Sequence, residues 1–339
     1  MTEFELIERI FATLQTEQSL LSGANGIEKA IGDDAAVMSL PTGSRLVSCI
    51  DTLVQGRHFS ADWDQVDELA FTIGYKAVAV NISDLAAMGA TPHSILLALA
   101  LPQRLAHERW LSKFAKGLFH ACQLFGVTLI GGDTTRSDAL VLTVTALGLL
   151  SSSTKAVYRS GAKIGDKVYV SGTLGDAAYA LRYANNEIGK QLAHRLHMPT
   201  PRIALGAMLA KIEATAMIDI SDGLYQDLSH ICQQSGVSMR IDIDKLPTSQ
   251  PLLAVEKAER LFYQLTGGDD YELAFTLPAN ICPPTENTSV TCIGEVVAID
   301  ERLIKQQPQL FYNKQAITTE HPSPFTTLPE LMGYQHFTG

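Results

Sequence analysis

Two globular domains, each mixing helices with strands, are what this sequence predicts, and three observations carry the expectation. At about 150 residues per domain, a chain of 339 residues is long enough for two separate cores. Hydrophobic residues at 46% against charged residues at 18% supply those cores and exclude both a disordered chain and a collagen-like repeat. Ser151, Ser152, Ser153 and Thr154 form the one marked run of small polar residues in mid-chain, and the boundary is predicted there. Residues 1–150 therefore read as the first domain, 155–305 as the second, and 306–339 as a C-terminal tail.

Taken in order, Leu6, Ile7, Ile10, Phe11 and Leu14 recur at helical spacing and predict an opening amphipathic helix. A loop rich in Gly and Asp follows. A strand is expected over Arg45–Asp51, a helix from about Gln65 to Val80, an apolar strand over Ser94–Leu101, a long helix over Ala106–Phe125 and a strand over Leu140–Leu150. The second half is expected to hold strands near Lys167–Ser171, Ser238–Asp244, Leu273–Leu277 and Val290–Val297. Helices lie between them, one starting after Pro201, where proline suits a first turn. The strands at Ser94–Leu101 and Leu140–Leu150 are more apolar than a half-exposed sheet requires, which predicts burial on both faces or a contact with a second subunit.

Charge and cysteine usage narrow the function classes. Lys+Arg 26 against Asp+Glu 36 gives a net charge of −10, the wrong sign for a phosphate backbone, so nucleic acid is not an expected partner. The five cysteines, Cys49, Cys122, Cys232, Cys282 and Cys292, are scattered and never form a CxxC pair, which points away from a disulfide framework or zinc knuckle and towards a reducing cytoplasm. The start MTEFELIERIF is acidic, unlike a secretory signal. No apolar run approaches the ~18 residues of a membrane span, so no membrane partner is expected.

The informative signal is a set of aspartates beside Gly, Ser or Thr, each expected at a strand-to-helix or loop corner. They are Asp33 and Asp34 in IGDDAAV, Asp51 in CIDTLV, Asp84 in NISDLAAMGA, Asp133 in GGDTT, Asp219 and Asp222 in DISDG, and Asp269 and Asp270 in GGDDYEL. Each alone is explained as a cap or turn residue. Collected in one cleft they would repel unless divalent cations sat among them, and hard carboxylate oxygens of this kind suit Mg²⁺ holding a polyphosphate. Gly131-Gly132 and Gly172-Thr173-Leu174-Gly175 would let backbone amides approach that anion. No GxxxxGK(S/T) loop, kinase HRD and DFG pair or GxGxxG unit is present, so a nucleotide site here is of another design. His58 alone reads as a structural histidine. Arg159, just past the boundary, reads equally as a phosphate clamp or a solvated loop residue. Ile82-Ser83-Asp84 followed by Gly131-Gly132-Asp133 is echoed by Ile220-Ser221-Asp222 followed by Gly267-Gly268-Asp269, which predicts two related site-building halves.

As an ordered set, IGDDAAV, IDTLVQGRHF, KAVAVNISDLAAMGATP, LIGGDTTRSD, YRSGAKIGDKVYVSGTLGDAA, PTPRIALG, AMIDISDGLYQDLSHI, GGDDYELAFT and the closing MGYQHF resemble the thiamine-monophosphate kinases, within the aminoimidazole ribonucleotide synthetase-like superfamily. The resemblance implies two α+β domains, with the N-terminal sheets of two subunits pairing across a homodimer and the tail contributing to the substrate site. It implies transfer of the ATP γ-phosphoryl to thiamine monophosphate, assisted by Mg²⁺. Carried over position by position, it makes Asp34, Asp51, Asp84, Asp133, Asp219 and Asp222 Mg²⁺ ligands. Gly132, Asp133, Arg159 and Ser221 become nucleotide contacts, and His58, Asp269 and Tyr334 substrate contacts.

Three positions depart from the family pattern. Cys49-Ile50 stands where Ser-Thr precedes DTLV, so a metal contact at Cys49 or Ile50 has only backbone carbonyls to use. Asp269 replaces the usual Glu and is one methylene shorter, and Arg57 replaces a small or neutral residue. The acceptor phosphate is largely ionised near pH 7, its second pKa being about 6, so no residue is assigned as a general base. Two alternatives stay open at this point: another ATP-using enzyme of the superfamily that activates an amide or carbonyl oxygen, and a non-catalytic cation-binding scaffold.

Overall fold

The computed structural model describes residues 26–31, 34–61, 63, 67–284, 288–299, 307–318, 321–322 and 324–325. The expected N-terminal helix and Tyr334 lie outside them, as does Asp33. The chain divides into two compact units, one of Met1–Leu85 and Ala90–Thr154, the other of Ala86–Gly89 and Lys155–Gly339.

In the first unit β1 (Ile27–Lys29) pairs with β2 (Val37–Met38). There follow β3 (Arg45–Val54), α1 (Asp67–Ala87), β4 (Thr91–Leu101), α2 (Glu108–Phe125), β5 (Thr128–Arg136) and β6 (Val141–Leu150). The sheet runs β3-β6-β4-β5, antiparallel except for the parallel β4–β5 pair, whose crossover is α2. Helix α1 is apolar around most of its circumference, with Ala77, Val78, Ala79, Ile82 and Leu85 all buried. It runs past the expected end near Val80 because Ile82, Leu85 and Ala86 continue the buried pattern, and it stops where Gly89 takes a left-handed φ of 72° and Ala90 N–H donates to the Leu85 carbonyl. Helix α2 buries Trp110, Phe114, Leu118 and Cys122 on one stripe.

One face of this sheet is buried, with Leu97, Leu99, Leu142, Val144 and Ala146 all at 5% exposure or less. The other is open: Leu46 and Ile50 are 51% and 63% exposed, and the odd positions of β6 are half-exposed. The apolar run of β6 is therefore not buried on both faces within the described chain.

The second unit contains β7 (Lys167–Ser171), α3 (Asp176–Arg182), α4 (Glu187–His197), α5 (Ile203–Lys211), β8 (Ala216–Asp219), α6 (Leu224–Ser235), β9 (Ser238–Asp242), α7 (Lys257–Thr266), β10 (Leu273–Leu277), β11 (Val290–Val297), β12 (Pro308–Tyr312) and β13 (Gln315–Ala316). Its sheet order is β13-β12-β9-β11-β7-β10-β8. Val168, Val170, Ile218, Leu224, Leu228 and Ile231 pack on one face and Met217, Phe275, Leu205 and Leu209 on the other. With both faces covered, every residue of β10 is buried. Among the described residues no helix is long and apolar enough to cross a membrane.

Three aspartates expected at corners lie elsewhere: Asp51 in β3, Asp84 in the last turns of α1 and Asp133 in β5. Both strands are edges of their sheet, where a carboxylate can stay solvated without leaving the ladder. The two ISD and GGD pairs also fall on unlike elements, a helix and a strand in the first unit against two loops in the second, so the echo is not a structural duplication.

Candidate functional site

A cavity of about 890 Å³ lies within the first unit. Cross-strand register builds it. Ile50, Thr145 and Leu96 align in one row and Thr143, Ala98 and Asp133 in the next, on the open face, and residues 30, 31 and 34–36 complete the lining. Asp34, Ile50, Gly132 and Asp133 are thereby brought to one place. Gly132 is required by close approach, since a Cβ there would fall 2.0 Å from the Leu97 carbonyl oxygen. Sequence reasoning missed β5 for this reason, Gly-Gly-Asp being poor strand residues that the ladder with β4 overrides.

Asp51 belongs to a different group. It pairs with Val144, on the helix-covered face, and its N–H donates to Asn81 Oδ1 at 3.1 Å. Cys49 Sγ donates to the Asn81 carbonyl at 3.3 Å, so that side chain is engaged by α1. Asp84 follows Asn81 by three residues and shares its side of α1. Asp51 and Asp84 thus gather beside Asn81, a residue that sequence reasoning did not single out. The expectation of one converging cluster becomes, inside the first unit, two groups on opposite sides of the sheet. His58 is half-buried, its Nδ1 accepting from Val54 N–H at 3.1 Å within a turn, and Arg57 is exposed in the same turn.

In the second unit Asp219 ends β8 with 3% exposure. The next loop is shaped by Asp227, whose Oδ2 accepts the amides of Ser221, Asp222 and Gly223 at 3.2, 3.2 and 3.1 Å. This carboxylate in the first turn of α6 takes the place of a cap that Gly223 has no side chain to supply. Burial first, and then the charges of Asp219 and Asp222, push the Asp227 carboxyl well above its ordinary range. Asp219, Asp222 and Asp227 thus gather carboxyl groups around this loop, and carboxylate oxygens are the hard donors that Mg²⁺ takes. Among the described residues, however, no three His, Cys, Asp or Glu side chains form a ready metal-binding group. Arg159 is exposed and accepts the Ser235 hydroxyl at its carbonyl. After burial, its charge is the chief influence depressing the His230 pKa.

The GGDDYEL segment lies against the same loop: Asp269 N–H donates to Ser221 O at 2.9 Å and Tyr271 N–H to Ile220 O at 2.8 Å. Behind it stands a buried ionic network that sequence reasoning did not identify. Fully buried Glu272 accepts from Ser171 Oγ at 2.5 Å, Arg195 Nη2 at 2.7 Å, Arg202 Nε at 2.6 Å and also Arg202 Nη2. Asp270 receives the Gly175 amide at 2.8 and 3.1 Å. Burial disfavours the Arg195 cation, but Glu272, Asp270 and Asp176 together outweigh it and raise its pKa.

Residues 32–150 match the family model of AIR synthase related protein, N-terminal domain, and 163–280 that of its C-terminal domain. The thiamine-monophosphate kinase of Salmonella typhimurium is 40% identical over 315 residues, covering 89% of this chain and 92% of the relative. The chain belongs to the thiamine-monophosphate kinase family. The fold agrees: the crystal structure of thiamine-monophosphate kinase from Stenotrophomonas maltophilia, 38% identical, matches with a TM-score of 0.79 over 94% of this chain and 98% of that one. AaThiL complexed with AMPPCP and TMP, 30% identical, matches at 0.72 over 99% of each chain. As a member of this kinase family the chain is an enzyme, and the scaffold alternative falls.

Proposed function

We propose that this enzyme transfers the γ-phosphoryl group of ATP to the phosphate of thiamine monophosphate, yielding thiamine diphosphate and ADP. The observation that carries the reading is its match, over 99% of both chains, to a ThiL structure complexed with AMPPCP and TMP. We assign Asp34 and Asp133 at the cavity, Asp51 and Asp84 beside Asn81, and Asp219 and Asp222 on the second-unit loop as the carboxylates that would hold Mg²⁺. When bound, Mg²⁺ ions would neutralise phosphate charge and so lower the repulsion between two polyanions. Cys49 and Ile50 could add only carbonyl oxygens. Gly132, Asp133, Ser221 and the Arg159 guanidinium are assigned to the nucleotide, the guanidinium to its phosphate oxygens. His58, Asp269 and Tyr334 are assigned to thiamine monophosphate. Because the acceptor oxygen is ionised at neutral pH, positioning and charge stabilisation account for the rate and no side chain need abstract a proton.

A coupled assay tests this directly. ADP formation is expected only when thiamine monophosphate is present, and chelation of Mg²⁺ by EDTA should abolish it. ADP release that is indifferent to thiamine monophosphate would overturn the substrate, and full activity in EDTA would overturn the metal role.

We further assign a homodimer formed through the open sheet face, on which exposed Leu46 and Ile50 stand beside half-exposed Leu96, Leu147 and Leu149. Light scattering at micromolar concentration should return twice the 36.7 kDa chain mass, and a monomeric mass would remove the assignment. The five free thiols fit a reducing compartment, and we place the enzyme in the cytoplasm, without nucleic-acid or membrane partners.

A further inference from the structure

Asp269 and Tyr271 both adopt left-handed backbone, with φ of 67° and 50°. For a residue as bulky as tyrosine this is a true outlier, and such strain persists only where the surroundings over-determine it. Here they do. Between Gly268 and Leu273, Asp270 and Glu272 are buried by their side chains, while Asp269 and Tyr271 are tied to the ISDG loop through their backbone amides. Asp270 is held by the Gly175 amide, and Glu272 by Arg195, Arg202 and Ser171. Ser171 Oγ in turn accepts Leu273 N–H at 2.9 Å. On the backbone, Asp269 and Tyr271 donate to Ser221 and Ile220, and Ile220 N–H donates to Glu272 O at 2.8 Å. The outcome of this clamping is specific: the Tyr271 hydroxyl donates to Asp269 Oδ1 at 3.0 Å, across only two residues.

We propose that Tyr271 is a positioning residue for the phosphorylation reaction, its hydroxyl locking the Asp269 carboxylate in the orientation that receives the thiamine moiety of thiamine monophosphate, which carries a cationic thiazolium ring and a separate amino-group donor. The inference rests on the reading of Asp269 as a substrate contact. It also accounts for the shorter acid at this position. An aspartate held at one oxygen has fewer rotamers to lose on binding than a free glutamate, so reach is exchanged for preorganisation.

The test is a four-protein cycle of the unsubstituted enzyme, Tyr271→Phe, Asp269→Asn and the double variant, with KM for thiamine monophosphate, KM for ATP and thermal unfolding measured on each. Tyr271→Phe keeps the ring, which is 7% exposed, and removes only the hydroxyl. It should raise KM for thiamine monophosphate about 5–10-fold with ATP unaffected and the melting temperature preserved. Asp269→Asn should raise the same KM by more than ~10-fold, as expected for a charge-assisted contact, and adding Tyr271→Phe to it should change nothing further, because the hydroxyl acts only through the carboxylate. A large effect of Asp269→Asn with a silent or fully additive Tyr271→Phe would overturn the positioning role and leave the substrate contact standing. A silent Asp269→Asn would overturn both. A fall in melting temperature with equal losses towards both substrates would mark Tyr271 as structural and overturn the proposal.

Discussion

Asp84→Asn is expected to leave the protein folded and to lower kcat/KM by at least about 10²-fold, the usual effect of removing one fixed group that stabilises transferring charge. The substitution preserves volume and deletes one negative charge. Asp84 is only half-buried, near the end of a helix whose neighbouring Ile82, Ser83 and Leu85 are fully buried and supply the packing that Asn, of equal volume, leaves untouched. The measurement is steady-state turnover at saturating Mg²⁺ alongside thermal unfolding. Turnover within about twofold of the unsubstituted enzyme, in protein of unchanged melting temperature, would remove Asp84 from the metal site.

The largest effect on stability is expected at Glu272. Its carboxylate is fully buried and receives two guanidinium groups that are themselves only 12% and 18% exposed. Glu272→Gln keeps the shape but removes the negative charge that both cations share and turns one acceptor oxygen into an NH₂ donor facing them. Breaking a buried pair from one side costs about 3–5 kcal/mol, and for a unit of this size that corresponds to a fall in melting temperature of roughly 6–20 °C. Denaturant unfolding of the variant decides the matter. A loss below about 1 kcal/mol would mean that water or a rearranged Asp270 and Asp176 takes over the cations.

Several strands could be read directly from the sequence. Those at Lys167–Ser171, Leu273–Leu277 and Val290–Val297 have the expected bounds because each is a short β-branched or apolar run between turn residues. What stayed hidden has physical reasons. Strand β5 carries Gly131 and Gly132, which suggest a loop until the ladder with β4 is known. Helix α1 outruns its expected end because Asp84 and Ser83 in NISDLAAMGA suggest a cap or turn, whereas Ile82, Leu85 and Ala86 carry the buried pattern on. The aspartates themselves were all legible as candidates, but a carboxylate's sheet face depends on register, and Asp51 and Asp133 prove to face opposite sides. The Arg195–Glu272–Arg202 network joins positions some 70 residues apart, which no local pattern reveals. Asp227 had a visible signal, an acid in the first helical turn after a glycine that cannot cap.

The strand order of the first unit bears on how the enzyme is made. Among the described residues, strand β3 sits at the sheet edge and β6 is its sole sheet neighbour, with Arg45 paired to Leu150 and Val54 to Val141. On a ribosome, the segment carrying Asp51 therefore emerges long before its ladder partner exists, and waits for that strand while two helices and two further strands are synthesised. Strand β4, helix α2 and strand β5 are contiguous and can assemble among themselves, whereas the last strand must then enter between β3 and β4. Closure of the sheet is thus tied to the final ten residues before the boundary, a long-range pairing of the slow kind. During translation the nascent chain exposes an unpaired edge, open to chaperones and to mispairing, until Leu150 has left the exit tunnel.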